Sequence, residues 1–262
     1  MPAGVAAWRR DRRHAGTARP ARCADTALFR TNPQLEKYEM NALLAGLTLL
    51  IIGDSHVTFK DSLLSVLPDE FTKQGAKVVT YGVCSSTAAD WVVPNPNNGC
   101  GAAERVGDAP IGAPDMKPAS PPPITSLIEK WHPNVVMVIL GDTMAAYGQN
   151  AVSKDWVDEQ VKTLTYAIGK TACIWVGPTW GQFSPRYGKT DQRATEMASF
   201  LKGEVAPCSY VDGTALLKQG SVNTIDGIHA TPESYRVWGD AIVQATLPEL
   251  EKLKDAPPAP AQ

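Results

Sequence analysis

Leu47-Thr48-Leu49-Leu50-Ile51-Ile52-Gly53-Asp54-Ser55-His56 is an apolar run that breaks abruptly into Gly-Asp-Ser. A short, nearly continuous apolar stretch bounded by small polar residues is the pattern of a strand buried on both faces of a parallel sheet. It is too short to cross a membrane. Its end places Ser55 just past the carboxyl edge of the strand, where a hydroxyl faces a crevice rather than the core. Working outward, residues 77–83, 134–140, 173–177 and 209–212 repeat the pattern. Helical periodicity lies between them at 59–67, 126–131, 155–168 and 190–201, the last closed by Gly203. Alternation of this kind predicts a five-stranded parallel sheet in a three-layer α/β/α sandwich, with flavodoxin-like strand order.

The second decisive segment is Thr224-Ile225-Asp226-Gly227-Ile228-His229-Ala230-Thr231-Pro232. Thr231 reads as the N-cap and Pro232 as the first residue of a final helix that turns Tyr235, Trp238, Ile242 and Ala245 inward. The three-residue spacing from Asp226 to His229 lets one tight loop hold a carboxylate against Nδ1 while Nε2 points at a serine hydroxyl. Ser55, the segment after the second strand, Gly141 to Met144 after the third, and Asp226 to His229 after the fifth all fall on the carboxyl edge of the sheet. With strands one and three adjacent, Ser55 and Thr143 face each other there. Each residue also has a plainer reading: Ser55 as a helix cap, Asp226 as a turn former, His229 as a solvent-facing loop residue.

A chain of 262 residues with 44% hydrophobic residues buries a full core. Its net charge of −2 gives no general attraction to nucleic acid. Residues 1–40 form an arginine-rich leader without apolar periodicity, read as disordered or as the product of an upstream start codon, with a basic partner-binding arm as the alternative. The domain spans 41–254, with a long Pro/Gly-rich loop at 94–123 and a disordered tail at 255–262. No apolar segment follows the arginines to complete a secretory signal, and no Cys/His spacing suggests a metal. No cofactor is expected.

Of five cysteines, Cys84 and Cys100 bracket the mouth of the crevice, while Cys173 and Cys208 begin neighbouring strands. Both pairs can reach disulfide geometry, with free thiols as the alternative, and Cys23 is left over in the leader. A bridge at Cys100 would turn the 94–123 loop into a wall beside Ser55. His56, beside Ser55, either supports the nucleophile from behind or faces substrate, and Trp91 and Trp180 are candidates for contacting substrate by stacking on sugar rings or else are ordinary packing residues.

The Gly53-Asp54-Ser55 and Asp226-x-x-His229 blocks resemble those of the SGNH (GDSL-like) hydrolase superfamily, over roughly residues 47–247. The resemblance implies a Ser55–His229–Asp226 triad and an oxyanion hole. Its donors would be the Ser55 amide, an amide from the second block and a side chain from the third. Where the family usually has glycine, this chain has Ser85 or Ser86, and where it has asparagine, Thr143. The Gly-Asp-Ser-His block and the Cys84-Ser85-Ser86-Thr87 block are similar to those of SGNH domains that O-acetylate exopolysaccharides such as alginate or bacterial cellulose. That similarity implies a polysaccharide acceptor, a small acyl donor delivered by membrane proteins, and a periplasmic or secreted location, with the cytoplasm as the alternative. A carbohydrate or lipid acetylesterase, or a carbohydrate-binding module with a vestigial triad, are the competing expectations.

Overall fold

The computed structural model describes residues 43–97, 99–145, 147–148 and 151–255. The arginine-rich leader, with Cys23, and the tail beyond Asp255 lie outside the described residues.

The sheet has six strands in the order β3-β2-β1-β4-β5-β6. These are β1 (Thr48–Gly53), β2 (Lys77–Val83), β3 (Ala102–Val106), β4 (Val135–Ile139), β5 (Ala172–Val176) and β6 (Ser209–Val211). Five are parallel and correspond to the five expected. The sixth, β3, runs antiparallel to β2, so the sheet is mixed rather than purely parallel. It arises inside the 94–123 loop and was not expected as a strand, because its one deeply buried side chain is Arg105, which breaks the apolar alternation. The guanidinium donates to the Leu64, Ser65 and Ala109 carbonyls and pairs with Asp69 at 2.6 Å, which is what allows a cation to be buried on an edge strand. On its outer side β3 meets a single bridge to Asp115.

Alternate residues of the parallel strands feed two cores. Leu50, Ile52, Val79, Val136, Val138 and Trp175 pack on one face against α2 (Ile124–Trp131), α3 (Lys154–Ile168) and α4 (Asp191–Glu204). Leu49, Ile51, Val78, Val135, Met137 and Ile174 face the other way, against α1 (Leu63–Lys73) and α6 (Pro232–Leu253). The short α5 is Gly213–Leu216. Two helix boundaries differ from the periodicity. The start of α1 falls at Leu63 because the Ser62 side chain caps it, accepting from the Leu64 amide. Gly203 lies within α4, which ends one residue later. The start of α6 is as expected: Thr231 accepts from the Ser234 amide and Pro232 occupies the first turn. Tyr235, Trp238 and Ile242 face inward, followed by Thr246 rather than Ala245.

β1 is central, with Gly53 in register with Gly82 on one side and Ile139 on the other. The sequence leaves β1 for β2 and later returns to its other side with β4, so the carboxyl ends of β1 and β4 flank the switch point. Just past β1, Ser55–Val57 form a single 3-10 turn that folds back over β2. A Cβ at Gly82 would stand 2.0 Å from the Val57 carbonyl oxygen, which requires glycine on steric grounds alone. Gly82→Ala is therefore expected to cost about 1–3 kcal/mol by overpacking, read as a lower urea midpoint with an unchanged m-value.

Candidate active site

Asp54 caps the 3-10 turn by accepting from the His56 amide at 3.0 Å, which fixes the backbone on both sides of Ser55. The facing loop between β6 and α6 is pinned by the Thr224–Ala230 bridge and turns through Gly227, whose φ of 102° suits glycine. In that loop one oxygen of Asp226 accepts from the Ile228 and His229 amides, at 3.1 and 2.9 Å. Its other oxygen lies 2.7 Å from His229 Nδ1, and His229 Nε2 lies 2.8 Å from Ser55 Oγ. Partial burial pushes the Asp226 carboxyl up, but the imidazole and the two amides outweigh it and hold it below its ordinary value. The phenyl ring of Phe59 and the phenol ring of Tyr187 meet the imidazole edge-on, with centroids 6.3 and 6.2 Å away.

A cavity of about 630 Å³ opens above Ser55 and His229, walled by Cys84, Ser85, Cys100, Thr143, Tyr147 and Arg186 among others. The backbone N–H groups of Ser55 and Ser85 make no hydrogen bond among the described residues, and Thr143 Oγ1 is itself buried and has no partner. All three residues line the cavity. The alternative donor, Ser86, does not: it is buried, and its N–H is committed to the Val83 carbonyl. Of the two second-block serines, Ser85 is the one left at the site.

Neither His56 nor the two tryptophans line the cavity, which leaves each with its alternative reading. Trp91 is fully buried in the core beside α3, and Trp180 packs on the opposite core and donates Nε1 to the Leu217 carbonyl. His56 turns away from substrate into a buried network. Its Nε2 lies 2.6 Å from Asp142 Oδ2 and its Nδ1 2.8 Å from the Tyr235 hydroxyl. Both ring nitrogens are thereby engaged by buried side chains.

The same carboxylate accepts from Lys189 Nζ at 2.8 Å and from the Tyr147 hydroxyl. Lys189 is 1% exposed. Burial pushes the Asp142 carboxyl up, yet the Lys189 ammonium and the His56 bond overcome this and hold it far below the usual carboxylate range. Asp54, buried nearby, moves the other way: burial raises its carboxyl above the ordinary value. Asp142 is the hub of this network. Nothing in the sequence distinguishes Lys189 or Tyr147, because their partners are remote in the chain and no periodic pattern marks them.

Both candidate cysteine pairs are joined. Cys84–Cys100 closes across the rim of the cavity, and Cys173–Cys208 ties the start of β5 to the residue before β6. Among the described residues no group of His, Cys, Asp and Glu is arranged to hold a metal ion, and no helix is long and apolar enough to cross a membrane.

No protein-family model matches the chain. Solved structures do resemble it. A lipase/acylhydrolase from Enterococcus faecalis is 17% identical with a TM-score of 0.50, covering 78% of this chain and 96% of its own. A family 3 carbohydrate esterase from Clostridium thermocellum is 12% identical with a TM-score of 0.51, covering 79% and 98%. A DUF4886 family protein from Bacteroides uniformis is 14% identical with a TM-score of 0.52, covering 79% and 91%. At these identities the likeness is one of fold: a central sheet flanked by helices, shared with acylhydrolase structures.

The Asp142–Lys189 pair has a measurable signature. Asp142 ionises at lower pH in the fold than in the unfolded chain, so the pair stabilises the fold above about pH 4 and this is lost as pH falls through the folded value. Lys189→Met leaves the carboxylate buried without its cation, with an expected loss of about 3–5 kcal/mol at neutral pH. The gap from wild type should narrow toward pH 4 in urea titrations.

Proposed function

We propose that the chain is a serine-dependent acyl-transfer enzyme that forms an acetyl-enzyme at Ser55 and passes the acetyl group to a hydroxyl of an extracytoplasmic polysaccharide. The observation that carries this reading is the continuous relay from Ser55 through His229 to Asp226 beside two unengaged backbone N–H groups. Attack by Ser55 Oγ on an ester carbonyl sends the serine proton to His229 Nε2, while the Asp226 carboxylate holds Nδ1–H and stabilises the imidazolium. The negative charge on the tetrahedral intermediate would be met by the Ser55 and Ser85 amides and the Thr143 hydroxyl. Collapse expels the donor alcohol, which takes the proton back from His229. The same base then activates the second hydroxyl, from sugar or from water.

A sugar acceptor is favoured by the Tyr187 ring and the Arg186 guanidinium that stacks over it at 5.1 Å on the rim, a flat surface with a hydrogen-bonding edge. The neighbour described as a carbohydrate esterase points the same way. The two disulfides favour an oxidising compartment outside the cytoplasm. An acetylesterase uses the same relay with water as acceptor, so products rather than geometry separate the two.

The test is release from p-nitrophenyl acetate with intact-mass readout, with and without neutral and acidic oligosaccharides. Wild type is expected to show a burst and a transient acetyl increment that Ser55→Ala lacks, with acetylated sugar among the products. Asp226→Asn should lower kcat by about 10³–10⁴-fold by presenting the wrong tautomer. Water as the sole acceptor would leave the esterase. Equal, slow release by wild type and Ser55→Ala would overturn the enzyme reading and leave a binding module.

Thr143→Val keeps the shape of the side chain and removes its donor. Loss of one oxyanion donor lowers kcat on the order of 10²-fold with little change in KM. Equal kcat for the two proteins would remove Thr143 from the oxyanion hole.

A further inference from the structure

Ser85 adopts φ +67°, a left-handed conformation that glycine enters freely and serine does not. Its position between two unusual neighbours explains how it is held. Cys84 is fixed on its own backbone: its N–H donates to the Gly101 carbonyl at 3.0 Å, and Asn97 Nδ2 donates to its carbonyl at 3.1 Å. The Ser86 N–H to Val83 carbonyl bond, at 3.1 Å, closes the turn in which Ser85 stands, but Ser85 makes no backbone bond of its own and its N–H is unengaged among the described residues. The Ser85 hydroxyl instead lies against the disulfide, 3.2 Å from Cys100 Sγ and 3.7 Å from Cys84 Sγ. Cys84, Ser85 and Cys100 all line the cavity over Ser55.

We propose that the Cys84–Cys100 bridge is a positioning element of the reaction: it holds Ser85 in the left-handed turn that aims its N–H at the oxyanion, a task a glycine would perform by conformational freedom alone. The proposal rests on the acyl-transfer reading of the site. It makes the competence of the oxyanion hole depend on a bridge that faces solvent through the substrate cavity. The other bridge, between two largely buried cysteines at the far ends of β5 and β6, has no such contact. Opening the Cys84–Cys100 bond releases the cavity wall from the turn, and Ser85 relaxes toward negative φ with its N–H turned off the reacting carbonyl.

The experiment compares oxidised and phosphine-reduced forms of wild type and of Ser85→Gly. A water-soluble phosphine donates two electrons to the disulfide and becomes the phosphine oxide with oxygen from water, whose two protons end on the two thiols. Circular dichroism verifies that the reduced proteins stay folded, and alkylation with mass readout counts the thiols. In wild type, reduction is expected to lower kcat about 10-fold or more, approaching the roughly 10²-fold of a lost oxyanion donor, with KM within about twofold. In Ser85→Gly the ratio of oxidised to reduced kcat is expected to shrink to about twofold or less, because glycine needs no clamp. Cys84→Ala/Cys100→Ala should match reduced wild type, and adding Ser85→Gly to it should restore much of the loss.

A bridge with a merely structural role would weaken both backgrounds by the same factor, and that result overturns the proposal. So does undiminished kcat in reduced wild type, or a change confined to KM. If oxidised wild type turns over no faster than Ser55→Ala, the acyl-transfer reading fails and carries this proposal with it.

Discussion

The structure around the candidate site depends on one buried carboxylate, Asp142, and on the ammonium of Lys189 that makes its burial tolerable. A lone carboxylate at this depth would be neutralised or expelled. Paired with Lys189 it remains charged and gathers bonds from the His56 imidazole and the Tyr147 phenol. Each partner belongs to a different piece of the chain. His56 adjoins Ser55, Thr143 adjoins Asp142 itself, and Lys189 ends the loop that carries Arg186 and Tyr187. Through Tyr235 the same network reaches α6, whose N-terminus follows directly on His229. The segments bearing Ser55, His229 and Thr143 are thereby referred to one ionic centre. Rigidity in the cluster comes from satisfied polar bonds in a low-dielectric interior, which are costly to break singly.

Much of this was legible in the residues, and the boundary of legibility is physical. The five parallel strands were readable because burial on both faces leaves apolar runs with little ambiguity, as in Leu49 to Ile52. The Asp226–His229 contact was readable because the two residues share one short loop, so a local spacing carried a tertiary fact. β3 was hidden because Arg105 stands where an apolar residue would have marked the strand, and its four hydrogen bonds are visible only in three dimensions. The tryptophans stayed open between stacking and packing for a related reason. Loop position placed Trp91 and Trp180 at the correct edge of the sheet, but burial of large rings drew Trp91 into one core and laid Trp180, half-buried, against the other. Ser85 and Ser86 were indistinguishable in sequence, and only the commitment of the Ser86 N–H to Val83 separates them.

Asp54 and Asp142 illustrate how little residue type says about charge state. Both are buried, and both flank functional positions. One has a cation at 2.8 Å and is held ionised; the other has a single amide on one oxygen, and burial raises its carboxyl.

The antiparallel strand at one margin of the sheet has a bearing on how this domain can meet a long polymer or another copy of itself. β3 presents its outer backbone to the Asp115 bridge, and at the opposite margin β6 is only three residues long. Both margins are short, five residues at β3 and three at β6, so adding a strand from outside gains few bonds. A polymer would have to be received across the carboxyl edge by side chains and ring faces, reading its surface chemistry rather than its backbone direction.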